Sequence, residues 1–215
     1  MRTYFNKLLT SSEQQKQLPL IYPLLISLLS GAVFSFALAP YYYWWLALLS
    51  PAVLVTLAKA ELKRLAEQSQ ESVALMVPSN GQAICIELVD SPQPLRCCYQ
   101  KGLAQPLLVG ASARVLLAYM DEAQSVSALL AQGVEPEEVA TYQRSFAQIR
   151  AAGYAVSVSE IDDGIWGISA PLLDSRNRLQ GAISLMAPAS RAHTRSERLI
   201  RWTQDVALRL SARLD

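Results

Sequence analysis

Cys85, Cys97, Cys98 and the single His193 are the chain's soft metal ligands and its most nucleophilic groups. A structural zinc site draws on paired CxxC units or several histidines. The adjacent Cys97-Cys98 is no such pair and no second pair exists, so no metal is expected. A Ser or Cys nucleophile needs a base to take its proton. His193, next to Thr194 at the mouth of the last helix, reads as a solvated loop residue. Gly110-Ala111-Ser112-Ala113-Arg114 starts like a nucleophile elbow but carries Arg114 where that motif needs glycine. Glu160, Asp162 and Asp163 could act as paired acids, yet Asp162-Asp163-Gly164 reads first as a turn. No dinucleotide or phosphate-loop glycine pattern appears. The chain is therefore read as no enzyme, with no cofactor. The cysteines read as small apolar residues of strands in a reducing cytoplasm. Cys97 and Cys98 would face opposite sides of their strand, one of them toward the core or a pocket. What remains is binding. Ser112 is expected at a helix start, where unpaired backbone N–H groups and the positive dipole end favour a carboxylate.

The elements that must position these residues share the chain with a very different segment. Of 215 residues 52% are hydrophobic and only 17% charged, below the usual quarter. No charged residue occurs between Lys16 and Lys59, a run of 42 positions. Such a run reads as membrane-embedded. Residues 18–39 suffice for one span, and residues 41–58 give a second of marginal length after Pro40. Tyr41-Tyr42-Tyr43-Trp44-Trp45 would sit at the far interface, and flanking lysines place both ends in the cytoplasm. A cleaved signal peptide would have a shorter apolar region and no second one. From Lys59 onward 16 Lys and Arg face 17 Asp and Glu, a net of −1. That balance disfavours a nucleic-acid binder relying on phosphate contacts. Disorder and a disulfide scaffold are excluded by the apolar content and the three cysteines.

Residues 60–70 form an amphipathic helix pattern, with Leu62 and Leu65 on one side and charges elsewhere. Strands are expected at 73–77 and 82–89 around Asn80-Gly81, a hairpin signal, and at 95–100. Helices are expected at 107–120, 125–131 and 137–152, the last opened by Pro136 and closed by Gly153. Strands follow at 154–161, 165–172 and 179–186. Thr194 with Glu197 is a capping-box start for a final helix to about residue 213. Hairpins with helices grouped between them imply an antiparallel α+β domain.

Two resemblances add to this. Gly31-Ala32, Phe36-Ala37-Leu38-Ala39-Pro40, Trp45 and Leu46-Ala47-Leu48-Leu49-Ser50 resemble the N-terminal spans of bacterial apolipoprotein N-acyltransferase. Nothing after Lys59 resembles that family's catalytic domain, so no catalytic residue carries over. Over about residues 62–210 the chain closely resembles the effector-binding domain of IclR-family transcriptional regulators. The carriers include Leu65-Ala66-Glu67, Glu71-Ser72, Ser91-Pro92-Gln93-Pro94-Leu95-Arg96 and Gly110-Ala111-Ser112. The most specific group is Gly153-Tyr154-Ala155, Glu160, the run from Gly164 to Pro171, and Asp174. Ala182-Ile183-Ser184-Leu185, Pro188 and Arg191 complete it. The resemblance implies a GAF-like α+β domain with a six-stranded antiparallel sheet. It also implies a small-molecule effector site at Gly110, Ala111, Ser112, Ser157, Glu160, Ile165, Gly167, Ser184 and Met186. Leu108 stands where the family often has His, so no metal is carried over.

The expected organisation is a cytoplasmic segment 1–17, a transmembrane hairpin 18–58, a linker helix 60–70 and an effector-binding domain 71–215. Family members carry a winged helix-turn-helix ahead of the linker, where this chain has the apolar run. Direct DNA binding by this chain alone is therefore not expected. The leading reading is an effector-binding domain for a small organic or aromatic acid. It would act as a homodimer or homotetramer and contact membrane lipid through 18–58. The alternatives are a relative or fragment of the acyltransferase, and a cytoplasmic regulator to which the N-terminal segment is not native.

Overall fold

The computed structural model describes residues 49–97 and 99–214. Contacts divide the chain into Met1–Val53 and Leu54–Asp215. The second unit is described here, with the start of the helix that leads into it. The elements are α1 (Leu49–Ser69), β1 (Ser72–Ser79), β2 (Gln82–Val89), β3 (Ala104–Pro106), α2 (Ala111–Tyr119), α3 (Glu122–Ala131), α4 (Pro136–Ala152), β4 (Ala155–Val158), β5 (Ile165–Leu173), β6 (Leu179–Pro188), α5 (Ala189–Ala192) and α6 (Ser196–Ser211).

The strands form one antiparallel sheet in the order β3-β2-β1-β6-β5-β4, the expected α+β architecture. Both faces are covered, and the period-two alternation of each strand decides which residue serves which side. Val73, Leu75, Ile183, Leu185, Ile168, Ala170 and Leu172 pack with α1 and α6. Ala74, Met76, Cys85, Ala182 and Met186 pack on the other side with α2, α3 and α4. Central strands buried on both sides explain the nearly unbroken apolar runs of β1 and β6. The β1–β2 hairpin turns through Asn80 (φ 50°) and Gly81 (φ 74°), both left-handed, as the two-residue loop requires.

Several expectations are corrected. The linker helix does not begin at Ala60, because α1 runs unbroken from Leu49. Residues 49–58, read as the end of a second span, are its first half, and Ala58 is fully buried with Leu62 and Leu65 in the protein core. Among the described residues no helix is long and apolar enough to cross a membrane. The span 18–39 and residues 41–48 lie outside the described residues. Among the described residues of 95–100 no strand forms. The outer edge of β2 pairs instead with a three-residue strand ending at Pro106, after Gly102 and Leu103 exchange backbone bonds with Cys85. Cys97 is buried without a strand to set its direction, and Cys98 lies outside the described residues. Helix α2 starts at Ala111, not at 107, since Gly110 sits at φ 92°. Thr194 does not cap the last helix. Arg195 takes the N-cap position, its guanidinium drawn to the C-terminal end of α1 by a 2.6 Å bond to the Ser69 carbonyl.

Two buried glutamates fasten α1 to the C-terminal layer. Glu61 is fully buried and meets Arg209 and Arg213, each at 3.2 Å, and Arg64 at 3.1 Å. Glu71, its side chain 1% exposed, receives two parallel bonds from Arg191, Nε to Oε1 at 2.9 Å and Nη2 to Oε2 at 2.7 Å. Arg195 lies 3.8 Å from the same carboxylate. This fork geometry is the strong form of an ion pair, and the pairing holds the Arg191 guanidinium above its usual pKa. Removing one partner strands a buried charge. Arg191→Ala is expected to cost about 3 kcal/mol in urea unfolding of the full chain. Restoring apolar packing with Arg191→Met plus Glu71→Leu should recover much of it. A loss below about 0.5 kcal/mol, the size of an exposed pair, would show that the bridge carries no weight.

Candidate functional site

Small residues on the α2-facing side of the sheet leave space where a larger side chain would fill it. Across β4, β5 and β6 the register aligns Ser157 with Gly167 and Gly167 with Met186. One row along, Ser169 lies opposite Ser184, and Ser184 opposite Ala74 of β1. An added Cβ at Gly167 would come 3.0 Å from Ser157 Oγ. Above these rows stands the N-terminal end of α2. The result is a cavity of ≈ 410 Å³ walled by α2, the β4–β5 loop and the segment before β3.

Eight of the nine expected residues line it: Ala111, Ser112, Ser157, Glu160, Ile165, Gly167, Ser184 and Met186. The ninth, Gly110, stands just outside and donates its N–H to Glu160 Oε2 at 3.1 Å. The sequence reading missed Arg96, Cys97 and Tyr99 from the segment before β3, and Ile161, Ile168 and Leu185. It treated Asp162 and Asp163 as a turn. They are one, with the Ile165 N–H donating to the Asp162 carbonyl, and they also line the cavity. Only the Ser-Pro-Gln-Pro run hinted that residues 91–103 would wander over the sheet.

Three hydroxyls connect the floor to the helix. Ser169 Oγ donates to the Ile183 carbonyl at 3.3 Å. With that hydrogen committed, Ser184 donates to Ser169 at 2.9 Å and Ser112 donates to Ser184 at 3.0 Å. Ser169 and Ser184 are buried and Ser112 half-buried. Within α2 the first intrahelical bond runs from the Arg114 N–H to the Gly110 carbonyl. The N–H groups of Ala111, Ser112 and Ala113 belong to the first turn, which has no intrahelical acceptor.

Around this end the charges are arranged unevenly. Arg114 Nη2 donates to Glu160 Oε1 at 2.6 Å and to the Val156 carbonyl at 2.5 Å. Tyr99 donates to Gln105 Oε1, and burial, with Cys85 nearby, raises its phenol above the usual range. Behind Tyr99, burial and the Glu87 carboxylate push the Cys85 thiol up to about 11, so it stays protonated and inert at neutral pH. Among the described residues no group of three His, Cys, Asp or Glu side chains is placed to hold a metal.

A more open cleft of ≈ 590 Å³ lies at the far end of α2. Its polar groups close helix ends: Arg150 Nη1 donates to the Ala118 carbonyl at 2.7 Å, and Tyr119 Oη to the Arg150 carbonyl at 3.4 Å. The smaller cavity, with converging hydroxyls and an open helix end, is the better candidate.

The family model for the bacterial transcriptional regulator IclR C-terminal domain matches residues 46–212. The chain belongs to this family. The C-terminal domain of a protein described as a transcriptional regulator from Vibrio cholerae is 43% identical. The match covers 71% of this chain and 93% of that one, with a TM-score of 0.67. The Thermotoga maritima IclR shares the fold at 20% identity, with a TM-score of 0.66 over 75% of this chain and 68% of that one. Among curated proteins, the HTH-type transcriptional regulator KipR of Bacillus subtilis is 26% identical over 74% of this chain and 66% of its own length. The HTH-type transcriptional repressor AllR of Klebsiella pneumoniae is 24% identical over 60% and 50%. The chain thus spans half to two thirds of these curated relatives. They are transcriptional regulators, not enzymes. The match begins at residue 46, inside the stretch read as a second span, and nothing in these comparisons supports the acyltransferase resemblance.

Gly110 bears directly on the cavity wall. Its φ of 92° and ψ of 163° fall in a region that essentially only glycine occupies. A Cβ there would also meet Ile161 Cδ1 at 2.6 Å. Gly110→Ala should destabilise the domain by about 1–3 kcal/mol, read from the thermal midpoint. An unchanged midpoint would show that the backbone here relaxes freely.

Proposed function

We propose that this domain is the ligand sensor of an IclR-type transcriptional regulator and binds a small organic or aromatic acid in the ≈ 410 Å³ cavity. The observation that carries the reading is convergence. Eight residues drawn from four elements and a loop, from Ala111 to Met186, meet at one cavity that ends on an open helix N-terminus. Such an end, with its unpaired N–H groups and positive dipole, suits a carboxylate. Ile165 and Met186 offer the body of the ligand an apolar bed. Binding would be passed on through a homodimer or homotetramer.

In a thermal-shift screen of small organic acids on the full chain, at least one should raise the melting temperature by mass action and be recovered unchanged. Ser112→Ala and Ser184→Ala should each weaken that acid about ten- to a hundredfold, the worth of one charge-assisted hydrogen bond formed when the ligand draws the hydroxyl hydrogen away from the neighbouring serine. The fold survives either change, since Ser169 keeps the Ile183 carbonyl as acceptor. A screen without a hit, or a hit indifferent to both substitutions, would remove the acid-sensor reading. Turnover of the hit would replace it with catalysis.

A second part of the proposal concerns the apolar run ahead of α1, which we read as a contact with membrane lipid. Its support is composition alone: no charge between Lys16 and the start of the helix, with five consecutive aromatic residues at 41–45. Full-length protein is expected to sediment with membranes and to resist carbonate extraction. Recovery as a monodisperse soluble species would leave a cytoplasmic domain and end the tether reading.

A further inference from the structure

Glu160 already occupies part of the position that an acidic ligand would seek. One oxygen accepts the N–H of Gly110, the N-cap of α2, and the other accepts from Arg114, one turn further in. The carboxylate therefore sits against the positive end of the helix and neutralises the cation nearest to it. The loop that carries it is held in place. Ser159 is left-handed at φ 53°, its Oγ accepts the Gly164 N–H at 3.0 Å, and Ile161 packs against Gly110. Asp162 and Asp163 line the cavity beside Glu160 in the same loop, and the exposed Arg96 is the cation among the lining residues.

We propose that Glu160 is a specificity-determining residue: a built-in carboxylate that limits the cavity to ligands with a single carboxylate or a neutral polar head and rejects dicarboxylates. The proposal rests on the reading of the cavity as an effector site. With three carboxylates against Arg96 and the already paired Arg114, the cavity is net negative before any ligand enters. A first ligand carboxylate can reach the N–H groups of Ala111, Ser112 and Ala113, and the Ser112 and Ser184 hydroxyls once their hydrogens turn from the neighbouring serine to the ligand. A second one meets Glu160, Asp162 or Asp163 in a partly desolvated space, where like charges repel more strongly than in water. Among the described lining residues Arg96 is the one cation, exposed and outnumbered by the three carboxylates.

The test pairs probes of equal carbon count on the full chain, butyrate with succinate and 2-methylbenzoate with phthalate, by calorimetry. Wild-type protein should bind the monocarboxylate of a pair at least about tenfold more tightly, and Glu160→Gln, which keeps the shape and removes the charge, should narrow that preference by about tenfold. A wild type that favours the dicarboxylate, or a preference unmoved in Glu160→Gln, overturns the proposal. A ligand-independent arm uses formate in thermal melts. Once Glu160→Gln frees Arg114 and weakens the Gly110 contact, formate should stabilise the variant more than the wild type. If no organic acid binds wild type yet formate stabilises only the variant, the effector reading fails while Glu160 keeps its assignment as a resident anion. Equal response to formate in both proteins overturns that assignment too.

Discussion

The bidentate pair between Glu71 and Arg191 is the contact on which the rest of the domain hangs. Glu71 stands at the joint between α1 and β1, and Arg191 at the joint between β6 and the C-terminal helices. β1 and β6 are the two middle strands, so the pair locks both at the end where they meet, beside the Ser72–Met186 alignment. Arg195 extends the lock to the last carbonyls of α1. A carboxylate this deeply buried would be costly alone. Its position is tolerable because the fork and the third arginine are already in place, and their presence in turn fixes how α1 and α6 lie over the sheet.

The same alignment builds the cavity. Setting β6 against β1 in this register brings Ser184 beside Ala74 and, on its other side, opposite Ser169. A one-residue slip would turn Ile183 and Leu185 toward α2 and close the space. The cavity is thus a by-product of sheet register joined to residue size. It lies where β4, β5 and β6 present serine and glycine to the helix layer instead of the leucine and isoleucine they present to α1 and α6.

Much of this was legible because local rules and the fold agree. Asn80-Gly81 announced its hairpin, Pro136 and Gly153 bracketed α4, and the turn residues Asp162-Asp163-Gly164 and Asp174 to Asn177 fenced β5 and β6 to within two residues. The failures have physical causes. Glu61 sits among charges in an amphipathic pattern that assigns it to solvent, and only the distant Arg209 and Arg213 explain its burial. The uncharged residues 49–58 carry no periodic charge to distinguish a helix entering a protein core from one entering lipid. Residues 95–100 have strand-like composition, but the edge of β2 was satisfied by residues further along. That misreading also hid Arg96, Cys97 and Tyr99 from the candidate site. The resemblance located the remaining lining residues because it carries spatial information that spacing alone does not hold.

The β1–β6 pairing has a consequence for the nascent chain. β1 is a middle strand in the finished sheet, yet its partner on one side is the last strand to be made. At roughly 5–20 residues per second, β1 waits on the order of ten seconds before β6 leaves the ribosome. Through that interval the hairpin offers an apolar edge, Val73 to Met76, with unpaired backbone groups along it, the kind of surface that recruits foreign strands. Birth of this domain is therefore a race between its own C-terminus and its neighbours, and whatever shields that edge on the ribosome sets the yield of folded sensor.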